Sequence, residues 1–489
     1  MLAHSAELLP EYPFQELRLD SLADPLLCLP ALKVHAERHP EGLFLATCRR
    51  TASGGRFAGG PEAERNILSG ASQAGCALVD LALESAEALG PQALVPLRET
   101  GATVILSWHD FAGTPDLDGI LERMQPFAPD LIKLVPTSNS LSDSLALLRF
   151  LERRSDAVPS TIAIAMGEAG VISRVLGTRA GSAFTFAPAT LAEATAPGQL
   201  AAPVLRDLYR APLLSRTSRL YGVAGSPIRS SLSPLMLNTA FRETAINASY
   251  LPLLTQDINE LFEIASALPL SGISVTMPLK QEILPFLDRI DPLAAKIGAV
   301  NTVRREPDGT WSGFNTDAAG ISTPLRARLN LKGARILVLG AGGAARAAAF
   351  ACVEEGASVS IVNRTFASAA ELARQSGGTA LRSEEVRIQP SFDVLINATP
   401  AGMRHSPARL PLSIEDLPAD LVFDLVYNPL ETPLLMLARE QGRGVLHGVE
   451  MFLHQGARQF ELWTGKPAPM QAMRGVVLEA LRESQVPGA

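Results

Sequence analysis

The stretch Arg335-Ile-Leu-Val-Leu-Gly-Ala-Gly-Gly-Ala-Ala-Arg346 joins an apolar run to a glycine-rich turn. The apolar run predicts a buried strand of a parallel sheet, and the alanine-rich residues after the turn predict a helix. Gly340, Gly342 and Ala345 match the G-x-G-x-x-A pattern, whose glycines allow a tight turn and close approach to a pyrophosphate. The N–H groups at the helix N-terminus also bind phosphate. The stretch therefore predicts a Rossmann domain that binds a dinucleotide.

The strand that follows, Ala357-Ser-Val-Ser-Ile-Val-Asn-Arg-Thr365, predicts which dinucleotide is bound. It ends about 20 residues beyond the turn, where an NAD-binding domain carries an acidic residue for the ribose 2′-hydroxyl. This chain has Asn363, Arg364 and Thr365 there, and an arginine pairs with a 2′-phosphate. We therefore predict NADP. The alternatives are a purely structural glycine turn and a merely solvated Arg364.

Length, charge and composition favour a multidomain protein without nucleic-acid, membrane or zinc binding. A chain of 489 residues is too long for one ordinary core and predicts two or three domains. The net charge of −7 gives no support to a nucleic-acid partner. No run of about 18 apolar residues is present, and the first residues lack the basic start and apolar core of a signal peptide, so we predict a cytoplasmic protein without a membrane partner. The scattered cysteines suggest neither disulfides nor a zinc site.

Strand-like and helix-like patterns alternate from Phe14 to about Ala187. This repetition predicts a parallel sheet, and so many units in a short segment predict a β/α barrel. The carboxyl ends of barrel strands meet at one mouth, where the active site lies. Seven strands are predicted, over residues 15–20, 43–49, 77–81, 103–109, 131–135, 161–166 and 182–186.

Several ionisable side chains lie at or near the ends of these strands. Burial disfavours the charged form of an amine, so Lys133 in its apolar strand is predicted to be nucleophilic toward a carbonyl. His109 on the preceding strand is suited to proton transfer, and arginines bind carboxylates. The alternative is an edge lysine and a structural histidine. The full group is Glu16, Arg18, Arg49, His109, Lys133 and Arg174.

Five motifs over about residues 13–202 resemble, in order, those of type I 3-dehydroquinate dehydratases. They are Glu16-Leu-Arg-Leu-Asp20, Ser107-Trp-His-Asp110, Ile132-Lys-Leu134, Gly170-Val-Ile-Ser-Arg174 and Ala196-Pro-Gly-Gln199. The resemblance implies that Lys133 forms a Schiff base with 3-dehydroquinate and that His109 is the general acid/base. It implies no metal. It also implies that the substrate is held by Glu16, Arg18, Arg49, Arg174, Thr195 and Gln199.

Two positions depart from that family. Ser53 stands where the family usually carries a glutamate before paired glycines, and we expect reduced turnover if that carboxylate orients the histidine. Only 15 residues precede Glu16, where the family normally has a further strand and helix. We therefore expect either a reading frame that starts too late or a barrel that lacks its first β/α unit.

The second half opens with a strand and a serine-rich loop, Leu220-Tyr-Gly-Val-Ala-Gly-Ser-Pro-Ile-Arg-Ser-Ser-Leu-Ser-Pro-Leu235. Ser233 is predicted to be a helix N-cap with proline after it, and capping is an alternative to ligand binding for Ser231 and Ser233. Amide, hydroxyl and charged groups follow in loops at Thr276, Lys280, Asn301 and Asp317, a set that suits a small polyhydroxylated substrate. We predict domain limits of 1–215, 216–322 and 323–489, the last with C-terminal helices returning to the substrate lobe.

These segments resemble shikimate dehydrogenases together with Asn397-Ala-Thr-Pro-Ala-Gly-Met403, Asp424-Leu-Val-Tyr-Asn-Pro429 and Gly448-Val-Glu-Met-Phe-Leu-His-Gln455. The resemblance implies a catalytic pair, Lys280 and Asp317. It implies substrate contacts from Ser231, Ser233, Thr276, Asn301, Asp317, Tyr427 and Gln455. It implies cofactor contacts from Gly340, Ala341, Gly342, Gly343, Ala344, Asn363, Arg364, Thr365, Leu425 and Gly448. Ser368 replaces a second arginine common in that family, so we expect a weaker NADP preference.

The two resemblances imply successive steps of one pathway to aromatic amino acids. The first domain would dehydrate 3-dehydroquinate, and the second would reduce 3-dehydroshikimate to shikimate with NADPH. Two alternatives are a metabolite-binding regulator with silent folds and a quinate dehydrogenase attached to a silent barrel.

Overall fold

A computed structural model describes residues 1–404, 406–412 and 417–483. The chain forms two compact units, Met1–Thr217 and Ser218–Ala489, which we describe separately. Both units combine helices with largely parallel sheets, so the predicted α/β class is confirmed. Among the described residues, none of the helices is both long and apolar enough to cross a membrane.

The first unit contains one parallel sheet whose six strands are paired in chain order. Its strands are β1 (Phe14–Arg18), β2 (Leu43–Thr47), β3 (Leu78–Ala82), β4 (Thr103–His109), β5 (Leu131–Val135) and β6 (Ser160–Ala163). Its α-helices are α1 (Leu2–Leu8), α2 (Leu29–Arg38), α3 (Pro61–Gln73), α4 (Leu83–Leu89), α5 (Val95–Glu99), α6 (Leu117–Met124), α7 (Leu141–Arg153) and α8 (Val171–Ala180).

The predicted seventh strand, 182–186, is wrong as a strand, because it forms no regular strand pairing in the structure. One backbone bond, from Ala183 N–H to the Thr161 carbonyl at 2.9 Å, holds it beside β6. On its other side Phe184 meets Phe14 of β1 edge-to-face, with ring centroids 5.0 Å apart. The segment thus lies between the two edge strands without hydrogen-bonding to both, and among the described residues strand pairing does not close a barrel.

The second unit contains two six-stranded sheets, ordered β10-β12-β11-β9-β7-β8 and β15-β14-β13-β16-β17-β18. The strands are β7 (Arg219–Gly225), β8 (Ala248–Leu254), β9 (Leu270–Val275), β10 (Arg289–Ile290), β11 (Thr302–Arg305), β12 (Trp311–Phe314), β13 (Arg335–Leu339), β14 (Ser358–Val362), β15 (Thr379–Ala380), β16 (Phe392–Asn397), β17 (Ala419–Asp424) and β18 (Gly444–Leu446). The α-helices are α9 (Ser233–Glu243), α10 (Ile258–Ala267), α11 (Pro292–Ile297), α12 (Thr316–Arg326), α13 (Gly343–Glu354), α14 (Phe366–Ser376), α15 (Pro433–Glu440), α16 (Gly448–Thr464) and α17 (Met470–Glu483).

The second sheet has the strand order of a Rossmann fold, because its strands run 3-2-1-4-5-6 by order of appearance and all pair in parallel. The reversal of order lies between β13 and β16, where such folds bind ligands beyond the carboxyl ends of the strands. Ala345 of α13 is fully buried, which allows the helix to pack closely on the sheet. The predicted dinucleotide turn therefore stands at the switch point.

Helices α12 and α16 pack closely in the second unit because small residues face the contact. A Cβ added at Gly320 of α12 would lie 2.8 Å from the Met451 carbonyl oxygen of α16. Helix α16 also packs on α9, where a Cβ added at Gly456 would lie 2.1 Å from the end of the Met236 side chain. This packing carries residues of α16 to the loops that follow β9 and β12.

Candidate active sites

The eight side chains implied by the first resemblance line one cavity of the first unit. They come from strands β1, β4 and β5, the loop after β2, helix α8 and the loop after residue 186. Parallel strands bring their carboxyl ends to one edge, which explains how distant residues meet. The members are Glu16, Arg18, Arg49, His109, Lys133, Arg174, Thr195 and Gln199.

Lys133 is 4% exposed, and its amine is ion-paired with a carboxylate that the sequence analysis missed. Lys133 Nζ lies 2.8 Å from Asp80 Oδ2. Arg49 reaches the same oxygen at 3.2 Å, and the Ser107 hydroxyl donates to Asp80 Oδ1 at 2.5 Å. Burial alone would raise the pKa of Asp80, but Lys133 and Arg49 outweigh it and hold that pKa well below its usual range. Asp80 is thus the counter-ion of two buried cations.

A sequence signal for Asp80 was available. It is the one polar residue of the strand Leu78-Val-Asp-Leu-Ala82, and a charged residue within a buried parallel strand needs a partner. Asp80 pairs in register with Ile105 of β4, two residues before Ser107, and Ser107 is the register partner of Lys133 of β5. A base or a buried amine in such a strand also requires a residue that neutralises it, and Asp80 meets that requirement.

His109 is held as a neutral ring by Arg49. Arg49 Nη1 lies 2.7 Å from His109 Nε2, and a guanidinium can only donate, so Nε2 accepts and the ring proton lies on Nδ1. Burial, followed by the charges of Arg49 and Lys133, lowers the pKa of His109 well below its usual value. The ring is therefore neutral, and Nε2 can take up a proton only when Arg49 releases it.

Arg174 is a buried cation with unfilled hydrogen-bonding capacity. It is 2% exposed, and its Nε has no partner among the described residues. Burial lowers its pKa to about 10, and no described carboxylate forms an ion pair with it. An unpaired buried charge is costly, so the site is complementary to an anion.

The remaining polar residues of this cavity are partly committed to one another. Gln199 Oε1 accepts the backbone N–H of Thr195 at 2.6 Å, which leaves only the amide N–H groups of Gln199 to bind a ligand. Arg18 makes a two-point ion pair with Asp20, at 2.9 Å for both bonds. Glu16 accepts the Thr47 hydroxyl at 2.7 Å.

Ser53 does not contact His109. Its hydroxyl donates instead to Glu84 Oε2 at 3.3 Å, at the start of α4. Among the described residues, no carboxylate hydrogen-bonds to His109, whose ring bonds to Arg49. The orientation of the histidine in this chain therefore depends on a guanidinium.

The second site is built around Lys280 and Asp317. Lys280 Nζ lies 2.6 Å from Asp317 Oδ2, and Asn301 Nδ2 donates to Asp317 Oδ1 at 2.7 Å. The Lys280 carbonyl accepts the Val300 N–H at 2.8 Å, so the lysine and asparagine loops are joined by their backbones. One carboxylate thus has a cation on one oxygen and a neutral donor on the other.

The serine-rich loop differs from the prediction. Ser233 is the first residue of α9 and makes no cap bond of its own. Ser231 Oγ accepts the Ser233 N–H at 3.2 Å instead, so Ser231 has the capping role. Thr276 follows β9, and its methyl group lies 2.4 Å from where a Cβ of Gly225 would be. The loops after β7 and β9 therefore lie side by side.

Tyr427 and Gln455 both contact Phe452 of helix α16. The Tyr427 ring stacks on Phe452 with centroids 4.8 Å apart, and burial raises the pKa of its phenol. Gln455 donates to the Phe452 carbonyl at 3.0 Å. Its Cβ lies 3.0 Å from where a Cβ of Gly320 would be, one turn beyond Asp317. Gln455 is thereby placed near the Lys280 pair.

The dinucleotide turn has the open backbone that a pyrophosphate needs. Gly340 has φ +113° and lies close to the Ala398 carbonyl, so a side chain there is strained. Added Cβ atoms at Gly342 and Gly343 would meet no atom within 4 Å. Helix α13 begins at Gly343, so its free N–H groups face that space. Ala341 and Ala344 lie in the same turn.

The residues after β14 are exposed or half-buried. Asn363 Nδ2 donates to the Thr365 carbonyl at 3.1 Å, which shapes the loop around Arg364. In the part of the chain that the structure describes, no carboxylate pairs with Arg364. Leu425 N–H donates to Asn397 at 3.0 Å, and a Cβ at Gly448 would lie 2.6 Å from the Leu425 carbonyl oxygen.

Sequence profiles of known families match four segments of the chain. They are "Type I 3-dehydroquinase" over residues 5–214, "Shikimate dehydrogenase substrate binding domain" over 223–303, "Shikimate / quinate 5-dehydrogenase" over 325–405 and "Shikimate 5'-dehydrogenase C-terminal domain" over 448–478.

Similar proteins match either the whole chain or its second unit. The chloroplastic bifunctional 3-dehydroquinate dehydratase/shikimate dehydrogenase of Arabidopsis thaliana is 35% identical over 477 residues, covering 93% of this chain and 78% of the relative. The shikimate dehydrogenase (NADP(+)) of Bacillus cereus strain B4264 is 42% identical and covers 54% of this chain and 99% of the relative. The crystal structure of shikimate dehydrogenase from Aquifex aeolicus is 37% identical in sequence and has a TM-score of 0.51. The match covers 54% of this chain and 99% of that one.

Proposed function

Since the chain belongs to the family of bifunctional 3-dehydroquinate dehydratase/shikimate dehydrogenases, we propose which of its residues carry out each of the two activities. It is a bifunctional enzyme of the shikimate pathway that dehydrates 3-dehydroquinate and reduces 3-dehydroshikimate to shikimate. The residue roles and the strictness of the cofactor choice are our proposals.

In the dehydratase, Lys133 adds to the ring carbonyl of 3-dehydroquinate and forms the Schiff base. This step requires the free amine, and Asp80 then stabilises the cationic nitrogen of the imine as it stabilised the ammonium. His109, held neutral by Arg49, accepts and returns the protons that accompany imine formation and loss of water. Arg174 binds the substrate carboxylate.

One observation carries the dehydratase assignment: a 4% exposed lysine shares its cavity with an unpaired buried arginine. This combination suits a substrate that has both a carbonyl and a carboxylate. The remaining ring contacts come from Glu16, Arg18, Arg49, Thr195 and Gln199.

Borohydride trapping with 3-dehydroquinate tests the dehydratase assignment, because borohydride reduces an imine to a stable amine. We expect mass spectrometry to locate the adduct on Lys133. The Lys133→Met variant should give no adduct, whereas Lys33→Met, which changes an exposed lysine of the same unit, should be labelled like the wild type. An adduct at another lysine would contradict the assignment.

In the reductase, the substrate is held by Ser231, Ser233, Thr276, Asn301, Tyr427 and Gln455. Lys280 gives a proton to the carbonyl oxygen of 3-dehydroshikimate, and Asp317 holds that ammonium in place at 2.6 Å. Bound NADPH supplies the hydride. Replacing Lys280 with methionine should lower kcat by about a hundredfold or more, the usual size of a general-acid effect.

The cofactor proposal is NADP, held at Gly340 to Ala344, at Asn363 to Thr365, and at Leu425 and Gly448. It is supported by the open backbone at Gly342 and Gly343 and by the exposed Arg364, which pairs with no carboxylate among the described residues. The Bacillus cereus relative is named as an NADP(+) enzyme. Ser368 is exposed and offers no second cation, so the weaker preference stays a prediction.

Steady-state kinetics with both cofactors test the NADP proposal. Arg364→Ser should raise the KM for NADPH about tenfold and leave that for NADH nearly unchanged, because only NADPH has the 2′-phosphate. The control Arg328→Ser, at another exposed arginine of the same unit, should change neither value. Equal changes for both cofactors would contradict a 2′-phosphate contact.

The alternative of a quinate dehydrogenase is tested in the same assay by comparing quinate with shikimate. Cytoplasmic location and the absence of a nucleic-acid partner stay predictions, and the Arabidopsis relative is named as chloroplastic. Cell fractionation of the source organism would test the location.

A further inference from the structure

A buried chain of hydrogen bonds ends at the carboxylate of Asp317. It starts at Tyr250, whose phenol donates to Ser274 Oγ at 2.6 Å, and Ser274 donates to Gln459 Oε1 at 2.8 Å. Gln459 Nε2 donates to Thr302 Oγ1 at 3.0 Å. Thr302 then donates to Asn301 Oδ1 at 2.8 Å, and Asn301 Nδ2 donates to Asp317 Oδ1 at 2.7 Å.

Two backbone groups determine the direction of this chain. The Thr316 N–H can only donate, and it lies 2.8 Å from Asn301 Oδ1, so the other end of that amide must be the NH₂ that faces Asp317. The Asn301 carbonyl can only accept, and it lies 3.4 Å from Gln459 Nε2, so Gln459 directs its oxygen toward Ser274. The Tyr250 and Ser274 hydroxyl hydrogens therefore point along the chain toward Asp317, and the Thr302 hydroxyl has two neighbouring acceptors, Asn301 Oδ1 at 2.8 Å and Thr316 Oγ1 at 3.0 Å.

All the linking residues are buried, and each is at most 7% exposed. In such surroundings hydrogen bonds strengthen one another, and a broken link leaves a buried polar group unpaired. Gln459 is the one member that lies on α16, the helix that also carries Gly448 and Gln455. It connects that helix to the asparagine that orients the Lys280 and Asp317 pair.

We propose that Gln459 is a positioning residue for the reductase: through Thr302 and Asn301 it holds Asp317 in the orientation that aligns Lys280. This inference depends on the proposed roles of Lys280 and Asp317. Without the Gln459 N–H, the Thr302 hydroxyl can turn from Asn301 toward Thr316 Oγ1, 3.0 Å away, and Asn301 then loses one of the donors that fix its amide. The Asp317 carboxylate then loses its defined position.

Three variants, Gln459→Leu, Thr302→Val and Gln459→Glu, test this role, and Thr464→Val is their control. Gln459→Leu removes all three side-chain hydrogen bonds of Gln459, to Ser274, Thr302 and the Asn301 carbonyl, whereas Thr302→Val removes only the hydroxyl link. We expect either variant to lower the reductase kcat about tenfold, with the KM for NADPH nearly unchanged. Thr464→Val on the same helix, whose hydroxyl bonds only to local backbone, should leave kcat unchanged.

Gln459→Glu provides a readout that a purely structural role would not give. A neutral carboxyl can donate to Thr302 and accept from Ser274 as the amide does, whereas the ionised form has no donor. Burial raises the pKa of a carboxyl, so we expect the introduced group to be neutral at about pH 6 and ionised by about pH 9. The ratio of variant to wild-type kcat should therefore be near one at about pH 6 and should fall about tenfold by about pH 9. A ratio that does not change with pH, together with an unchanged kcat in Thr302→Val, would overturn the proposal.

The dehydratase activity of each sample measures how much active chain is present. If wild-type protein reduced no 3-dehydroshikimate, the proposed function itself would be wrong. A lower melting temperature with unchanged kcat in all three variants would leave the function intact and reject the positioning role.

Discussion

Arg49 donates a hydrogen bond to His109 across 2.7 Å, and this places a fixed positive charge against the proposed proton carrier. The same guanidinium reaches Asp80 at 3.2 Å, so it joins the histidine to the counter-ion of Lys133. The dehydratase site is therefore one connected network of charges. A change at one member is expected to alter the protonation of the others.

Removing the charge of Arg49 should raise the pKa of His109. In Arg49→Met burial, Lys133 and Arg18 still lower that pKa, but the Arg49 charge no longer does, so the ring should titrate closer to its usual value of about 6.5. NMR titration of the His109 ring in both proteins measures the shift. His35 offers an internal reference because its pKa is lowered by its own burial and by His39. A shift at His35 of the same size would indicate a general rearrangement.

The lowered pKa of His109 also has a consequence for stability. The unfolded chain binds a proton near pH 6.5, while the folded ring stays neutral to lower pH. The contribution of His109 to the free energy of unfolding should therefore decrease as pH falls below about 6.5, and this decrease should be smaller in Arg49→Met.

Replacing Arg174 should weaken substrate binding and stabilise the fold. Arg174→Met removes an unpaired buried cation while it retains much of the side-chain volume. We expect the dehydratase KM to rise about tenfold or more, and the melting temperature of the ligand-free protein to increase. Thermal unfolding and initial rates measure both effects. A variant with lower stability and unchanged KM would show that the arginine has only a structural role.

Glycines 448 and 342 should respond differently to alanine. At Gly448 a Cβ would lie 2.4 Å from the Val426 carbonyl oxygen, so Gly448→Ala should lower both the melting temperature and the reductase activity. At Gly342 a Cβ has open space, so Gly342→Ala should keep the fold and raise the KM for NADPH. Gly475→Ala, at an exposed helix position, should stabilise by up to about 1 kcal/mol. Equal losses of stability at Gly448 and Gly342 would contradict this account.

Protonation of the buried Glu64 carboxyl should contribute to the stability of the fold in mild acid. Burial raises its pKa to about 7 although Ser85 and Arg50 hydrogen-bond to Oε2, and Oε1 has no partner among the described residues. The folded state binds a proton that the unfolded state does not, so the contribution of Glu64 to the free energy of unfolding should increase as pH falls from about 7 to about 4.5, opposite in sign to that of His109.

The Glu64→Gln variant isolates this contribution because it keeps the shape and removes the charge. It should be more stable than the wild type at pH 8, by about 1–3 kcal/mol, and the difference should vanish near pH 4.5. Chemical denaturation at several pH values measures it. A difference that is constant with pH would exclude titration of Glu64 as the cause.

Much of the fold could be read from local patterns. The apolar run before Gly340 and the strand ending at Asn363 are both strands of the Rossmann sheet, and six of the seven strands predicted before residue 187 are present. Residues 182–186 were wrongly predicted as a strand because Phe184 and Phe186 alternate as strand residues do. Aromatic packing against Phe14 and Lys133, rather than strand pairing, explains their pattern.

The sequence by itself determined the two α/β segments, the order of their motifs, and the residues capable of chemistry, because helix and strand periods and motif spacings are local properties of the chain. Only the tertiary structure decided which charges neutralise one another. Asp80 became the partner of Lys133, Arg174 was left unpaired, and Gln459 was joined to Asp317 through Asn301. These relationships depend on distances between side chains far apart in the chain, and those distances are set when sheets and helices pack.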